Sequence, residues 1–364
     1  MKVKKKIGLA AVIALFIAYF FIAARPIPLE TVLIPRWISS VESDAPVFLG
    51  GEAADISPQQ KIPFSLGSRF GYISRDGFFS VNQIKKANVS LSRERWAEYD
   101  AEPERITIYD GNGDTVTVIE NPRGYPFFFD ERIYLIGSEQ NAVSAIDASG
   151  KVSWTYEFAS PLTCVDSAGG LVLAGSLDGV ASLLNSKGRQ IFLFKPSGSR
   201  LEIILGCAIS RDGSRIALIS GIDDQRFLVL ERFGNNADDY KVVYHEFLGN
   251  GFRRPVYISF IENDHWIVFE RGGGLGFYEI NSRHSGKVEL NGELSAIDHS
   301  GGQGILFVVV SRSTGVKYLA GIRLPGRIII EAPFNSEDVF LGRIDSRLIA
   351  GGEHILSSFD LEKR

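Results

Sequence analysis

A strand–turn–strand unit recurs from about Asn88 to the C-terminus, and no other feature constrains the fold as tightly. Its cleanest copy is Val143-Ser-Ala-Ile-Asp147-Ala-Ser-Gly150-Lys-Val-Ser-Trp154. Alternating residues lead into a polar turn closed by glycine, and a second alternating run follows. Related turns close at Gly113, Gly188, Gly234, Asn281, Gly326 and Asp360. Their spacing of roughly 36–48 residues is the period of a four-stranded propeller blade. A blade alone leaves both sheet faces unburied, so it must stack against neighbours in a closed ring. The expected fold is therefore all-β, a β-propeller of about seven four-stranded blades preceded by one N-terminal transmembrane helix.

Three segments follow from this reading: a basic tip and signal anchor over 1–24, a proline-containing spacer over 25–66, and the propeller over 67–364. The anchor is the charge-free apolar run from Ile7 through Leu15 and Phe20 to Ala24. At about 18 residues it meets the lower limit for spanning a bilayer as a helix. Pro26 and Pro28 disfavour cleavage, so an uncleaved anchor is expected over a removed signal peptide. The Lys2 to Lys6 cluster belongs on the cytoplasmic side and the rest outside it. Localisation at a cytoplasmic membrane, with the C-terminal domain in the periplasm or another extracytoplasmic space, is the consequence. In the spacer, Trp37 could rest at the membrane interface or dock on the propeller.

The 39 basic residues include Lys2, Lys4, Lys5 and Lys6, and the other 35 face 43 acidic ones. Such a balance argues against a nucleic-acid partner. Strands are expected, for example, over 126–129, 132–136, 142–146 and 151–158 in one repeat. A hairpin over 70–81, turning at Asp76-Gly77, is expected to supply the missing outer strand of the last blade. Cys164 and Cys207 fall on inner strands of adjacent blades and read as buried free thiols.

The copy ending at Trp154 resembles the repeat of the PQQ-like propeller superfamily, and 175–188 is a second, looser match. Arg211-Asp212-Gly213-Ser214 is similar to a WD40-type turn. The PQQ-like superfamily includes quinoprotein dehydrogenases and a scaffold of outer-membrane assembly. A quinone site would need adjacent cysteines and a stacking tryptophan at the ring centre. Here the two cysteines are far apart in sequence, and Trp37, Trp96, Trp154 and Trp266 are scattered. No cofactor is expected. The five histidines show no ligand spacing, and Asp110-Gly-Asn-Gly-Asp114 reads as a hairpin turn rather than a calcium loop.

What remains is loop surface. On one rim of the fourth and fifth full repeats, Arg226, Phe252, Arg253, Arg254 and Arg271 combine an aromatic anchor with guanidinium donors, a composition suited to gripping another protein. The expected function is a membrane-anchored, non-catalytic scaffold whose partners are envelope or membrane proteins. The competing class is a propeller-type hydrolase, or a sensor of a sugar or peptide, with its site at the central channel. Asp166 and Asp298, on or beside inner strands, are the channel candidates.

Overall fold

A computed structural model of the chain describes Phe16, Tyr19 and residues 31–363 apart from 44–45, 50–59, 130–131, 235, 237, 250, 299, 301 and 313–314. The anchor markers Ile7, Leu15, Phe20 and Ala24 lie outside the described residues. Among those described, no helix is long and apolar enough to cross a membrane. Two compact units are distinguished, Met1–Val32 with Glu362–Arg364, and Leu33–Leu361. The first is helical and exposed at Phe16 and Tyr19, and the second carries the propeller.

The strands form eight antiparallel sheets, so the ring has eight blades rather than the expected seven. Blades 2 to 7 cover 88–120, 125–157, 162–194, 204–247, 258–289 and 293–333, each with four strands in sequence order. Blade 8 comprises Val339–Ile344, Arg347–Gly352 and Ile355–Lys363, completed by Thr31–Ser40 and the short strand Val47–Phe48. Blade 1 holds the three strands Lys61–Leu66, Arg69–Ser74 and Phe79–Ile84.

Turn chemistry explains why the repeat folds as it does. Asp147 Oδ1 accepts the amides of Ser149 and Lys151 at 2.8 and 3.0 Å. Asp110 does the same for Asn112 and Asp114, and Asn185 for Lys187 and Arg189. Each carboxylate or amide side chain thus pins the hairpin it opens. Gly113, Gly150 and Gly188 close these turns at φ of 92°, 81° and 71°, a region that side chains rarely adopt. Second strands such as Arg215–Ser220 and Ile305–Ser311 are apolar along their length, because neighbouring blades cover both of their faces.

Two tryptophans show how blades lock together. Trp154, on the outer strand of blade 3, donates Nε1 to Ser186 O at 3.0 Å and lies on Gly188 of blade 4. Trp37, on Thr31–Ser40, donates to Arg75 O at 2.8 Å and lies on Gly77 of blade 1. A Cβ at Gly188 would meet the Trp154 ring at 2.6 Å, and one at Gly77 would meet Trp37 at 2.9 Å. The match makes 75–77 the turn before an outer strand. The three strands of blade 1 therefore correspond to the second, third and fourth strands of blade 4.

Three expectations are corrected by this arrangement. The hairpin over 70–81 does not complete the last blade, because it belongs to blade 1. Thr31–Ser40 completes it instead. The segment 25–66 is not simply a spacer, since it contributes Thr31–Ser40 and Lys61–Leu66 to the ring. Prolines in the segment obscured its strand alternation. Trp37 is 1% exposed and docks on the propeller.

The inner edge of Lys61–Leu66 pairs with no described strand. Pro63, opposite Tyr72, sits in the middle of that edge. Proline has no amide proton to offer, so it blunts an edge that would otherwise invite another strand.

Closure also runs through charge. Asp360 accepts Arg36 Nε at 2.7 Å and Arg347 Nε at 2.8 Å, and Arg347 reaches Asp76 of blade 1 at 3.5 Å. Burial alone would raise the Asp360 carboxyl, but Arg347 and Arg36 together bring it below its usual range. A depressed carboxylate stabilises fully above the unfolded value of about 3.9, and that contribution is lost as pH falls through the folded value. Asp360→Asn should cost on the order of 1 kcal/mol at neutral pH, the pair being partly screened. It should also flatten the loss of Tm below about pH 4, read by calorimetry across pH. An acid limb as steep as the parent's would remove this pair from ring closure.

Candidate functional site

In each blade, the loop between the second and third strands shares a rim with the linker that enters the next blade. On blades 5 and 6 this rim brings together 221–225, 248–257 and 271–273. The expected cluster is numbered one blade later than the sequence repeats suggested, because blade 1 precedes them.

Gln225 organises the rim. It is 1% exposed, donates Nε2 to Gly221 O at 3.1 Å and to Phe252 O at 3.3 Å, and accepts the Phe252 amide at 3.3 Å. One side chain thereby stitches the 248–256 linker to the loop of blade 5 and satisfies both backbone groups of Phe252. Phe252 is half-buried and packs on the core between blades 5 and 6.

Three of the expected arginines are committed within the fold. Arg254 grips Glu270 through two bonds of 2.6 and 3.0 Å, and its guanidinium lies 4.6 Å from the Phe252 ring centre. Glu270 has a side chain only 4% exposed, and its hydrogen bond raises Arg254 above the usual arginine value. Such a bidentate pair fixes a loop more than it attracts a partner. Arg271 bonds Glu246 at 3.2 Å, and Glu246 also accepts from Tyr244 and Ser285. Arg226 covers the Phe247 ring at 4.7 Å. Arg253 is exposed and pairs with no described residue.

Sequence reading missed the apolar part of this rim. Phe247 ends the outer strand of blade 5 and is 55% exposed. Leu201, on the linker into blade 5, is 53% exposed, and Leu177, in the loop of blade 4, is 51% exposed. The available signal was a leucine at the head of a turn, Leu177-Asp-Gly, where water would favour a polar residue.

The channel candidates have structural bonds. Asp166 accepts the Ser167 amide at 2.9 Å and the Ile209 amide of blade 5 at 2.8 Å. Asp298 is fully buried, accepts Ser300, and lies 2.7 Å from Arg343 Nε of blade 8. That ion pair is outside hydrogen-bond alignment, while the other Arg343 nitrogens donate to Gly302 O and Ile305 O. Both aspartates thus join neighbouring blades. Among the described residues, no group of three or more His, Cys, Asp and Glu side chains could hold a metal ion. Cys164 and Cys207 are free thiols. A hydrogen bond with Cys164, together with burial, pushes the Cys207 thiol up.

Gln225→Ala leaves a buried amide and carbonyl unsatisfied. It should speed hydrogen exchange across 248–256 and cost about 1–3 kcal/mol in denaturant unfolding. Exchange unchanged in that linker would show that Gln225 does not hold it.

Comparison with known proteins agrees with the geometry. A family model described as beta-propeller protein matches residues 1–363. A protein of Treponema pallidum (strain Nichols), described only as uncharacterized, is 25% identical over 367 residues, covering 99% of this chain and 96% of that protein. Among solved structures, BamB from Moraxella catarrhalis aligns with a TM-score of 0.58 at 12% identity, over 90% of this chain and 100% of that one. The computationally designed Ika8 protein aligns with a TM-score of 0.59 at 12% identity, over 83% of this chain and 97% of that one. The fold is thus a β-propeller similar to those of BamB and Ika8, and the chain belongs to the family of β-propeller proteins.

Proposed function

We propose that this chain is a membrane-anchored scaffold of the cell envelope that binds another protein on the rim of blades 4 to 6. The observation that carries the reading is the set of exposed apolar side chains on that rim, Leu177, Leu201 and Phe247, with Arg253 on the same rim exposed and without a described partner. Large apolar groups on loop tips cost solubility unless something covers them. Aromatic and arginine side chains are also the residues that most often dominate binding energy at protein interfaces. The fixed Arg254–Glu270 and Gln225 contacts support the same reading, because a loop held in place before binding loses less entropy on binding.

The charge-free run over 7–24, flanked by lysines, supports an extracytoplasmic placement on a membrane anchor. The PQQ-like resemblance supports a scaffold role, since that superfamily includes one in outer-membrane assembly. Glu246 and Glu270 serve the loops themselves, pairing with Arg271 and Arg254.

The test is crosslinking in intact membranes, comparing the parent with Phe247→Ala/Arg253→Glu and with Phe127→Ala, an exposed residue of blade 3. A stoichiometric envelope protein crosslinked to the parent and to Phe127→Ala should fall about tenfold in the double variant. Equal crosslinking in all three would place the interface elsewhere. Absence of any crosslinked protein would count against a scaffold.

A further inference from the structure

The seam between blades 2 and 3 is built differently from the two that follow it. Four residues after its turn glycine, the outer strand of blade 3 carries Trp154 and that of blade 4 carries Phe192. These rings fill the wedge between neighbouring blades, Trp154 against Gly188 and Phe192 against Tyr240. Blade 2 has Thr117 at the same place after Gly113. The facing wall of blade 3 is also small. Its cross-strand row runs Leu135, Ser144, Thr155, and the next pairs Ala142 with Glu157. Thr117 is buried against Gly150, and beside that contact, between the outer strands of blades 2 and 3, lies an open groove of about 730 Å³, within the range of roughly 300–1,000 Å³ typical of ligand sites.

Its chemistry narrows the occupant. Ser144 and Thr155 hydroxyls, 2.8 Å apart, line the wall, and Val118 and Val152 give apolar flanks. Arg123, Glu139 and Glu157 stand at one end and Lys151 at the other. All four are exposed, and none forms an ion pair with a described residue. No aromatic ring lines the groove among the described residues, so a sugar would lack a stacking face. The wall follows Val152–Glu157, six residues, or about 20 Å of extended chain. The molecule itself shows an extended segment docking on the outside of the ring. Val47 and Phe48 pair with Ile38 and Trp37 on the outer strand of blade 8, and Phe48 packs 6.3 Å from Phe78 of blade 1.

We propose that the groove between blades 2 and 3 binds an extended peptide segment of about six residues carrying both charge signs. This site is separate from the rim of blades 4 to 6, so either can fail without the other.

The test pans a displayed library of random heptapeptides against the full chain, then measures the enriched peptides, made synthetically, by calorimetry. Peptides of roughly micromolar Kd are expected. Ser144→Trp, which fills the groove, should weaken them about tenfold. Arg123→Glu/Lys151→Glu, confined to exposed positions, should shift which peptides bind and serves if the tryptophan disturbs folding. Phe247→Ala/Arg253→Glu should leave their affinity unchanged. Failure to enrich any peptide, or enriched peptides indifferent to both groove variants, would overturn the proposal.

Discussion

A ring of blades stands only if its last seam is as strong as the others, and here that seam joins strands from opposite ends of the chain. Thr31–Ser40 supplies the outer strand of blade 8, and Trp37 then reaches forward to the turn of blade 1. Arg36, Asp360, Arg347 and Asp76 run as one line of alternating charge across the same junction. The pairing removes an open outer edge from blade 8, and the tryptophan clamps blade 8 to blade 1. Removing the strand would expose the outer edge of blade 8, and removing the tryptophan would free blade 8 from the turn of blade 1.

The seam between blades 3 and 4 is built from local parts. Asn185 fixes the hairpin, Gly188 lets the neighbour's ring approach, and Trp154, four positions after Gly150, fills the wedge. The repeat therefore specifies both the blade and its contact with the next. Where the wedge residue shrinks, as at Thr117, the hairpin survives because Asp110 still holds it, and Gly150 of the next blade closes directly onto Thr117 and Val118, with a groove left beside the contact. Fold and surface can thus vary independently, which suits a framework that hosts unrelated binding sites.

Much of this was legible in the residues. Strands over 132–136 and 142–146 coincide with Arg132–Ile136 and Ala142–Ile146, because alternation and the Asp147–Gly150 turn act locally. Blade count was not legible. Among the described residues blade 1 has three strands, and the first of them lies in a proline-containing stretch, so only tertiary pairing reveals that 61–84 is a unit. The rim arginines were found as a group, but their roles were not. Glu246 and Glu270 lie on strands whose alternation says nothing about which loop they will face. Asp166 and Asp298 looked like channel residues because inner strands approach the axis, yet each side chain turns sideways to the next blade. Phe247 and Leu201 escaped notice because single apolar residues on a surface carry no pattern.

The Arg36–Asp360 contact spans 324 positions of sequence, and this has a consequence for biogenesis. The strand bearing Arg36 leaves the ribosome long before its partner does. At typical synthesis rates of about 5–20 residues per second, the interval is roughly 15–65 s. For that time Trp37 and its neighbours have no finished sheet to join, while seven blades assemble downstream. The slow step in maturation is then the docking of an early segment onto a late one, a loop closure of high contact order. A holding chaperone acting on this N-terminal strand would govern the yield of closed rings more than one acting on any later blade.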